Sequence, residues 1–302
     1  MIVDTHAYWD AEHLSLEDMH RRMQQHSVTK AILSPPCTHV YEPDKSIFMY
    51  AIQRRLLRNA LLRPAAAAAS QSFYNRRGEL RLLWRLFTRE GQPLRKVMEP
   101  DNAELLSAIV GREQFYQWYW LNPRLLPSKD QMARELKHPQ VVGIKLHAYW
   151  HRFGAEDARI VFSLAVEHSL PMYFILGFGW LDSAIRFLQE FPSVRVIFGY
   201  CGFPYFDALW KAIRPFENAF VDTASLHIDE AGIEAALKAL GADRCLYGSD
   251  CPYNFSDREG QFDYGLNLDR LRGLELQPEA IEKVFFRNGR RVLFPGEAVP
   301  VG

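Results

Sequence analysis

LYGSDCP, residues 246–252, is the stretch on which the fold assignment depends. Its first half is apolar and typical of a short buried strand, which we predict over residues 244–248, and Pro252 stops that strand. Asp250 therefore stands at the carboxyl end of a strand. Because parallel barrels carry their catalytic groups at that end, Asp250 is the first candidate for a catalytic residue.

The beginning of the chain offers a counterpart to this stretch. IVDTHAYW, residues 2–9, is typical of a first strand and places His6 at its end. His6 and Asp250 are 244 residues apart, but the first and last strands of a closed barrel are neighbours. We therefore expect the two side chains to face each other across one barrel mouth.

Composition sets the class of protein. The chain has 302 residues, 48% hydrophobic and 24% charged, which suits one large core and a single domain over residues 1–302. Its 36 basic and 36 acidic residues balance, so neither nucleic acid nor a membrane is expected as a partner. The four cysteines form no Cys-x-x-Cys pair or secreted framework, and the N-terminus enters a strand directly. We expect a cytoplasmic protein that acts on a small-molecule substrate. A homodimer is one assembly that we consider.

Strands and amphipathic helices alternate along most of the chain. Strands are predicted at residues 2–6, 29–34, 115–121, 141–147, 172–176, 194–199, 219–223 and 244–248. Helices are predicted at residues 16–25 with Ser15 as N-cap, 102–110, 156–170 with Ile160 turned inward, 181–191, 230–240, and from Pro278 to about Asn288-Gly289. Eight apolar strands separated by helices predict the α/β class and a (β/α)8 TIM barrel. An open doubly wound sheet is disfavoured, since no Gly-x-Gly-x-x-Gly turn follows a strand.

Residues 37–100 interrupt the alternation of strands and helices, and we predict that they form a helical insertion after strand 2. Two long helices are predicted there, joined by Pro64 and an alanine run. The second has an apolar stripe on one face and a row of arginines on another: Leu80, Leu83, Trp84 and Phe87, against Arg77, Arg81, Arg85 and Arg89. With twelve basic and five acidic residues, the insertion is predicted to be a basic helical cap. It is either a solvated face or subunit contact, or a lid that attracts an anionic substrate.

Five short motifs follow one another in the order that a barrel requires. They are VDTH, LNP, GIKLH, LYGSDCP and NGRRVLF, at residues 3–6, 121–123, 143–147, 246–252 and 288–294. Together they resemble the amidohydrolase-related branch of the amidohydrolase superfamily, which includes metal-dependent decarboxylases of aromatic acids and the pyrone dicarboxylate lactonases. The resemblance covers residues 1–36 and about 102–296, and it implies a TIM barrel with an active site at its mouth.

The resemblance also implies a metal site, and here the sequence departs from it. Family members have His-x-His after strand 1, histidines ending strands 5 and 6, and an aspartate after strand 8. Of these only His6 and Asp250 remain, while Tyr8, Ile175 and Tyr200 stand at the other three positions. Because a catalytic zinc site uses about three protein ligands, we expect no cofactor. The alternative is one divalent metal, zinc, manganese or iron, held by His6 and Asp250.

A carboxylate and a cation at the mouth can hydrolyse an activated ester, lactone or imide without a metal. The resemblance to the pyrone lactonases implies this kind of chemistry on an anionic substrate. The expected roles are Asp250 as the base that activates water, Lys145 as the charge facing the oxyanion, His6 and His147 as orienting or electrophilic groups, and Tyr8 and Tyr200 as hydrogen-bond donors. Structural alternatives stay open: Lys145 and Asp250 as a buried ion pair, and the two tyrosines as space-filling side chains.

Aromatic residues follow most strand ends, which predicts stacking faces for a flat substrate. The candidates for substrate binding are Trp9, Tyr149, Trp150, Phe178, Trp180 and Tyr253. Packing beneath the cap is an open alternative for some of them. Cys201 and Cys251 each follow a strand-end position, so each is either a nucleophile with His6 as its base or, more commonly, an inert buried thiol.

Two functions of different classes follow from these residues. The first is an amidohydrolase-like hydrolase of a small cyclic or aromatic anion, with a metal-dependent decarboxylase as a lesser variant. The second is a pseudoenzyme whose barrel binds a ligand or another protein. Retention of four polar groups at one mouth favours the enzyme, and loss of three ligand positions favours the pseudoenzyme.

Overall fold

The computed structural model describes residues 1–35, 47–59, 61–65, 99–253, 255, 257 and 260–296. Eight strands in this part of the chain form one parallel sheet, in sequence order. They are β1 Ile2–Tyr8, β2 Val28–Ser34, β3 Phe115–Trp120, β4 Val141–His147, β5 Met172–Ile175, β6 Val196–Phe198, β7 Ala219–Asp222 and β8 Cys245–Leu246. Backbone bonds join the last strand to the first, from Thr5 N–H to Tyr247 O and from Asp250 N–H to His6 O, each at 2.9 Å. The prediction of a (β/α)8 barrel is confirmed.

Helices follow the strands around the outside of the barrel. They are α1 Leu16–Gln25, α2 Ile47–Arg58, α3 Asn102–Ile109, α4 Lys129–Glu135, α5 Ala148–His151, α6 Ala155–Glu167, α7 Leu181–Glu190, α8 Asp207–Ile213, α9 Glu230–Leu240, α10 Tyr264–Arg272, α11 Pro278–Glu282 and α12 Asn288–Leu293. Ser15 caps α1 as predicted, since its hydroxyl accepts the Asp18 N–H at 3.1 Å. Within the described residues, no helix has both the length and the apolar character needed to cross a bilayer.

The alternation of side chains along each strand divides the core into two layers. Along β5, Tyr173 and Ile175 belong to the layer inside the barrel, and Met172 and Phe174 belong to the layer between barrel and helices. The inner layer continues into the C-terminal helical segment, because it includes the side chains of Phe286, Val292, Leu293 and Phe294. That segment closes the amino-terminal end of the barrel and leaves the carboxyl end for chemistry.

Two of the predicted helices differ in detail from the structure. The last helix does not end at Asn288-Gly289, because α12 continues to Leu293. Within that helix Gly289 packs against β1, where a Cβ atom would lie 3.1 Å from carbon atoms of Val3 and Thr5. Ile160 does not face the core either, since it is 51% exposed on α6.

Most of the insertion lies outside the described residues, including the second predicted helix with its apolar stripe and arginine row. That residues 37–100 form a basic cap therefore stays a prediction. The described part is α2 with residues 59, 61–65, 99 and 100.

Helix α2 is fastened beside the barrel mouth. The Arg54 guanidinium donates to the Leu226 carbonyl at 2.6 Å and lies 3.3 Å from the Asp229 carboxylate. Gln53 Oε1 lies 3.2 Å from His227 Nδ1. These contacts place the start of the insertion against the loop that follows β7.

Candidate active site

Five of the predicted polar residues converge at the carboxyl end of the barrel. Lys145 Nζ lies 3.1 Å from His6 Nε2, and Asp250 Oδ1 lies 3.9 Å from His6 Nδ1. The Tyr200 hydroxyl donates to Asp250 Oδ1 at 3.2 Å, and the Tyr8 hydroxyl lies 3.3 Å from that of Tyr200. His6 and Lys145 are fully buried and Asp250 is 4% exposed. The expectation that the ends of β1 and β8 face each other is met.

His147, the sixth predicted polar residue, belongs to an aromatic wall of the same mouth. Its ring stacks on Trp120, with centroids 5.8 Å apart, and lies 5.0 Å from the Trp150 ring. In the part of the chain that the structure describes, neither His147 Nδ1 nor Trp120 Nε1 has a hydrogen-bond partner, although both atoms are buried. Such atoms are rare in folded proteins, so the pair is suited to meet a polar group of a bound molecule.

Three further polar residues complete the cluster and were missed in the sequence. The Tyr173 hydroxyl donates to Asp222 Oδ2 at 2.5 Å and lies 2.7 Å from His6 Nδ1. Lys145 Nζ donates to Ser34 Oγ at 3.0 Å. Asp222 carried a usable signal, since it ends an apolar strand as Asp250 does. Tyr173 and Ser34 carried none, because a tyrosine or serine inside an apolar strand is indistinguishable from core.

Backbone strain is concentrated in the same place. Tyr200, Ser225 and Asp250 have φ of 54°, 71° and 60°, the left-handed region that disfavours residues other than glycine. These residues follow β6, β7 and β8, and the first two both hydrogen-bond to the carboxyl group of Asp250. Each such conformation costs roughly 1–3 kcal/mol, and clustering of this strain is typical of functional sites.

Burial dominates the charge state of the carboxyl groups. It raises the pKa of Asp250 from 3.8 to about 7, against the opposing effects of the Lys145 charge and the hydrogen bonds from Tyr200 and Ser225. Burial likewise raises the pKa of Asp222 to about 6, although the hydrogen bond from Tyr173 opposes the rise. A carboxyl group with a pKa near 7 is matched to proton transfer at neutral pH.

The pKa values of the histidines and cysteines at the mouth shift in the directions that keep these side chains uncharged. Burial, reinforced by the Lys145 charge, lowers the pKa values of His6 and His147 well below 6.5, so both rings are neutral at pH 7. Burial raises the pKa values of the Cys201 and Cys251 thiols well above 9.0. These thiols stay protonated, which supports the inert alternative over a nucleophile.

Of the six aromatic candidates for substrate binding, two lie at the mouth. Trp150 lies beside His147 on the aromatic wall. The Tyr253 ring lies 5.1 Å from that of Tyr8, and its hydroxyl donates to Asp10 Oδ2 at 3.1 Å. Both side chains can therefore border a ligand beside the polar cluster.

The other four candidates pack against the outer layer, although the Tyr149 ring also lies 6.4 Å from that of His147. Tyr149 and Phe178 are half-buried and form an edge-to-face pair with centroids 6.1 Å apart. Trp180 packs edge-on to Phe174, an outward-facing residue of β5, and Trp9 also packs on the outer layer. The structure does not bring Trp180 to the polar cluster.

The donor set does not fit the divalent metal that the resemblance implies. Within the described ranges, no three histidine, cysteine or carboxylate side chains form a group that could hold one. Both ring nitrogens of His6 are already engaged: Nδ1 faces the Tyr173 hydroxyl and Nε2 faces the Lys145 ammonium. A zinc–nitrogen bond of about 2.1 Å would put the metal against that ammonium, so metal binding at His6 would require Lys145 to move.

Comparison with known proteins agrees with the barrel. A family model described as amidohydrolase matches residues 116–294, well over half of the chain. No curated protein sequence gives a significant match.

Solved structures of similar fold come from several sources. An amidohydrolase from Burkholderia multivorans with bound zinc is 12% identical with a TM-score of 0.63, over 97% of this chain and 99% of that one. A putative 2-pyrone-4,6-dicarboxylic acid hydrolase from Pseudomonas putida is 15% identical with a TM-score of 0.60, over 97% of each chain. A 2,6-dihydroxybenzoate decarboxylase from Rhizobium is 14% identical with a TM-score of 0.59, over 97% of this chain and 98% of that one. These likenesses show a shared fold, and the match of the family model shows that the chain belongs to the amidohydrolase family.

Proposed function

We propose that the protein is a hydrolase of a small cyclic or aromatic anion, a lactone, activated ester or imide, in which Asp250 activates water without a metal. One observation carries the proposal: a carboxyl group with a pKa of about 7, held on strained backbone, and a fully buried ammonium group lie at the two ring nitrogens of His6. A base matched to neutral pH and a fixed positive charge are the two elements that hydrolysis of an activated carbonyl requires.

The reaction follows from these two groups. A water oxygen attacks the carbonyl carbon of the substrate while its proton passes to the Asp250 carboxylate. Negative charge develops on the carbonyl oxygen, and Lys145 stabilises it because a buried charge is weakly screened. When the intermediate collapses, the bond to the leaving oxygen or nitrogen breaks and Asp250 returns the proton to it. Tyr200, bonded to Asp250, keeps the carboxyl oriented, and Tyr8 supports Tyr200.

The aromatic wall supports a flat substrate with oxygen atoms at its edge. His147 Nδ1 and Trp120 Nε1 can each donate a hydrogen bond, and in the described residues neither has an acceptor. A carboxylate or carbonyl oxygen of the substrate would satisfy both. Trp150 and Tyr253 would then stack on the faces of its ring.

The most direct test compares the turnover of Asp250→Asn with that of the parent enzyme on a panel of anionic lactones, enol esters and imides. We expect turnover to fall about 100-fold or more, with no loss of thermal stability. Glu135→Gln is the matched control, because Glu135 is also a buried carboxylate that accepts a tyrosine hydroxyl, from Tyr119 at 2.6 Å, but it lies outside the barrel. That variant is expected to keep its turnover.

Metal analysis, carbon dioxide release and the same substrate panel separate this mechanism from the alternatives. Metal content of protein purified without chelator would be measured by plasma mass spectrometry, and near-stoichiometric metal with chelator-sensitive turnover would contradict the metal-free mechanism. Release of carbon dioxide from aromatic acids would identify a decarboxylase instead. Unchanged turnover in Asp250→Asn would remove Asp250 from the mechanism, and binding of panel compounds with no turnover would favour the pseudoenzyme.

A further inference from the structure

We propose that Tyr173 and Asp222 are positioning residues that hold His6 in its Nδ1-protonated tautomer, so that His6 Nε2 accepts a hydrogen bond from Lys145 and fixes the ammonium group opposite Asp250. The catalytic consequence rests on the proposed function. The arrangement itself rests on contacts among four side chains that no motif in the sequence brings together.

The charged groups at the two ends, Lys145 and Asp222, determine the direction of each hydrogen bond between them. An ammonium group can only donate, so the 3.1 Å contact between Lys145 and His6 makes Nε2 the acceptor. An ionised carboxylate can only accept, so the 2.5 Å contact makes Tyr173 the donor to Asp222. The Tyr173 hydroxyl has one proton, so the 2.7 Å contact with His6 Nδ1 must use the Nδ1 proton. All three bonds then point from Lys145 towards Asp222.

Burial makes this order matter. Lys145, His6, Tyr173 and Asp222 are all fully buried, so solvent does not compete for their hydrogen bonds. The rings of His6 and Tyr173 also pack against each other, with centroids 4.4 Å apart, which limits rotation of the imidazole. We call these four hydrogen-bonded side chains the relay. Its Lys145 end is positive and its Asp222 end is negative, so it is neutral overall, as a buried network must be to avoid a large desolvation cost.

The relay also explains why the positive charge stays in place. Ser34 accepts a second hydrogen bond from Lys145, and the ammonium lies 4.0 Å and 4.3 Å from the ring centroids of Tyr8 and Trp120. If His6 carried its proton on Nε2, that N–H would face the ammonium, donor against donor, and Lys145 would be displaced. Tyr173 and Asp222 exclude that tautomer without contacting the substrate.

The tautomer can be read directly by nitrogen-15 NMR of histidine-labelled protein at pH 8, with His6→Gln used to assign the His6 signals. We expect a proton on Nδ1 that exchanges slowly with solvent, and an unprotonated Nε2. Tyr173→Phe and Asp222→Asn should each speed exchange of that proton and lower kcat about 10- to 100-fold with KM nearly unchanged. Tyr119→Phe removes a similar buried bond to a carboxylate outside the barrel, and it should change neither readout.

A proton on Nε2 in the parent enzyme would overturn the proposal, as would an Nδ1 proton that both substitutions leave unchanged. The tautomer measurement needs no variant to fold beyond the one used for assignment, and Asp222→Asn serves if Tyr173→Phe fails to fold. Failure of the proposed function looks different: no substrate would turn over while the His6 tautomer remained as expected. If the enzyme were an active hydrolase but His6 carried its proton on Nε2, the relay would be contradicted and the proposed function would stand.

Discussion

Asp250 combines two unfavourable features that have one structural cause. The positive φ at Asp250 accompanies a side chain directed towards Tyr200 and His6 instead of solvent. The same burial raises the pKa of its carboxyl group to about 7. A residue that weakens the fold in two ways is better explained by chemistry than by packing.

The pH dependence of turnover follows from that pKa. A general base works only when ionised, so kcat/KM should fall as pH decreases through about 7, tenfold for each unit below it. Tyr200→Phe removes a hydrogen bond that lowers the pKa of Asp250, so the variant's profile should move to higher pH. Steady-state rates between pH 5 and 9 measure both effects. A profile that Tyr200→Phe leaves in place would separate Asp250 from the observed titration.

The stability of Asp250→Asn should depend on pH in a defined direction. The folded protein binds this proton more tightly than the unfolded chain does, because the folded pKa is about 7 and the ordinary value is 3.8. Ionised Asp250 therefore costs stability progressively as pH rises from about 4 to 7. Asparagine cannot ionise, so the variant should exceed the parent in free energy of unfolding by on the order of 2 kcal/mol above pH 7, and the difference should vanish near pH 4. Urea melts at both pH values test this, and equal stability at pH 8 would contradict it.

At the scale of elements, the sequence predicts long apolar strands and capped helices well. β4 matches its prediction at both ends, and so does the helix Glu230–Leu240, because each is a continuous pattern bounded by clear stop signals. β8 is only two residues long, Cys245–Leu246, and after it the Tyr247 N–H donates to the Val284 carbonyl in the C-terminal helical segment at 2.9 Å. No local pattern specifies that long-range pairing.

Helices α4, α8 and α10 were missed for a related reason. Each is nine residues or fewer, too short to be stable without tertiary packing. The candidate site shows the same limit. His6, Lys145 and Asp250 end or occupy recognisable strands, whereas Tyr173 becomes a site residue only because closure of the barrel brings it to His6. Sequence patterns identify the residues that end strands, but not the residues inside a strand, such as Tyr173, that reach the same site.

Helix α2 should depend on Arg54 for its position at the mouth. Arg54→Ala removes the bond to the Leu226 carbonyl and the ion pair with Asp229, a loss of roughly 2 kcal/mol for a partly buried charged donor. Amide hydrogen exchange across residues 47–58 should therefore accelerate, while exchange in the barrel strands stays as in the parent. Arg55→Ala, an exposed neighbour on the same helix, is the matched control and should leave exchange unchanged. Equal protection in both variants would show that other contacts hold α2.

At the scale of the whole molecule, one carboxylate ties the two ends of the chain together. Asp4 on β1 accepts hydrogen bonds from the Ser249 N–H at 2.9 Å, the Ser249 hydroxyl at 2.5 Å and the Tyr264 hydroxyl at 2.9 Å. Ser249 is the residue before Asp250, and His6 lies two residues after Asp4. The contact that closes the barrel thus also sets the spacing of the two site residues that the sequence places furthest apart.

Asp4→Ala should therefore reduce stability and turnover together. The substitution leaves buried donors of Ser249 and Tyr264 without an acceptor, and we expect a loss of about 3 kcal/mol in free energy of unfolding. Because the seam loosens, kcat/KM should also fall for the fraction that remains folded. Glu135→Ala is the control: it too removes a buried carboxylate, but one bonded to Tyr119 only 16 residues away on the outer layer, so it should reduce stability without changing the turnover of folded protein. Urea melts and rates measured well below the unfolding midpoint distinguish the two, and equal effects on turnover would mean that the seam does not set the geometry of the site.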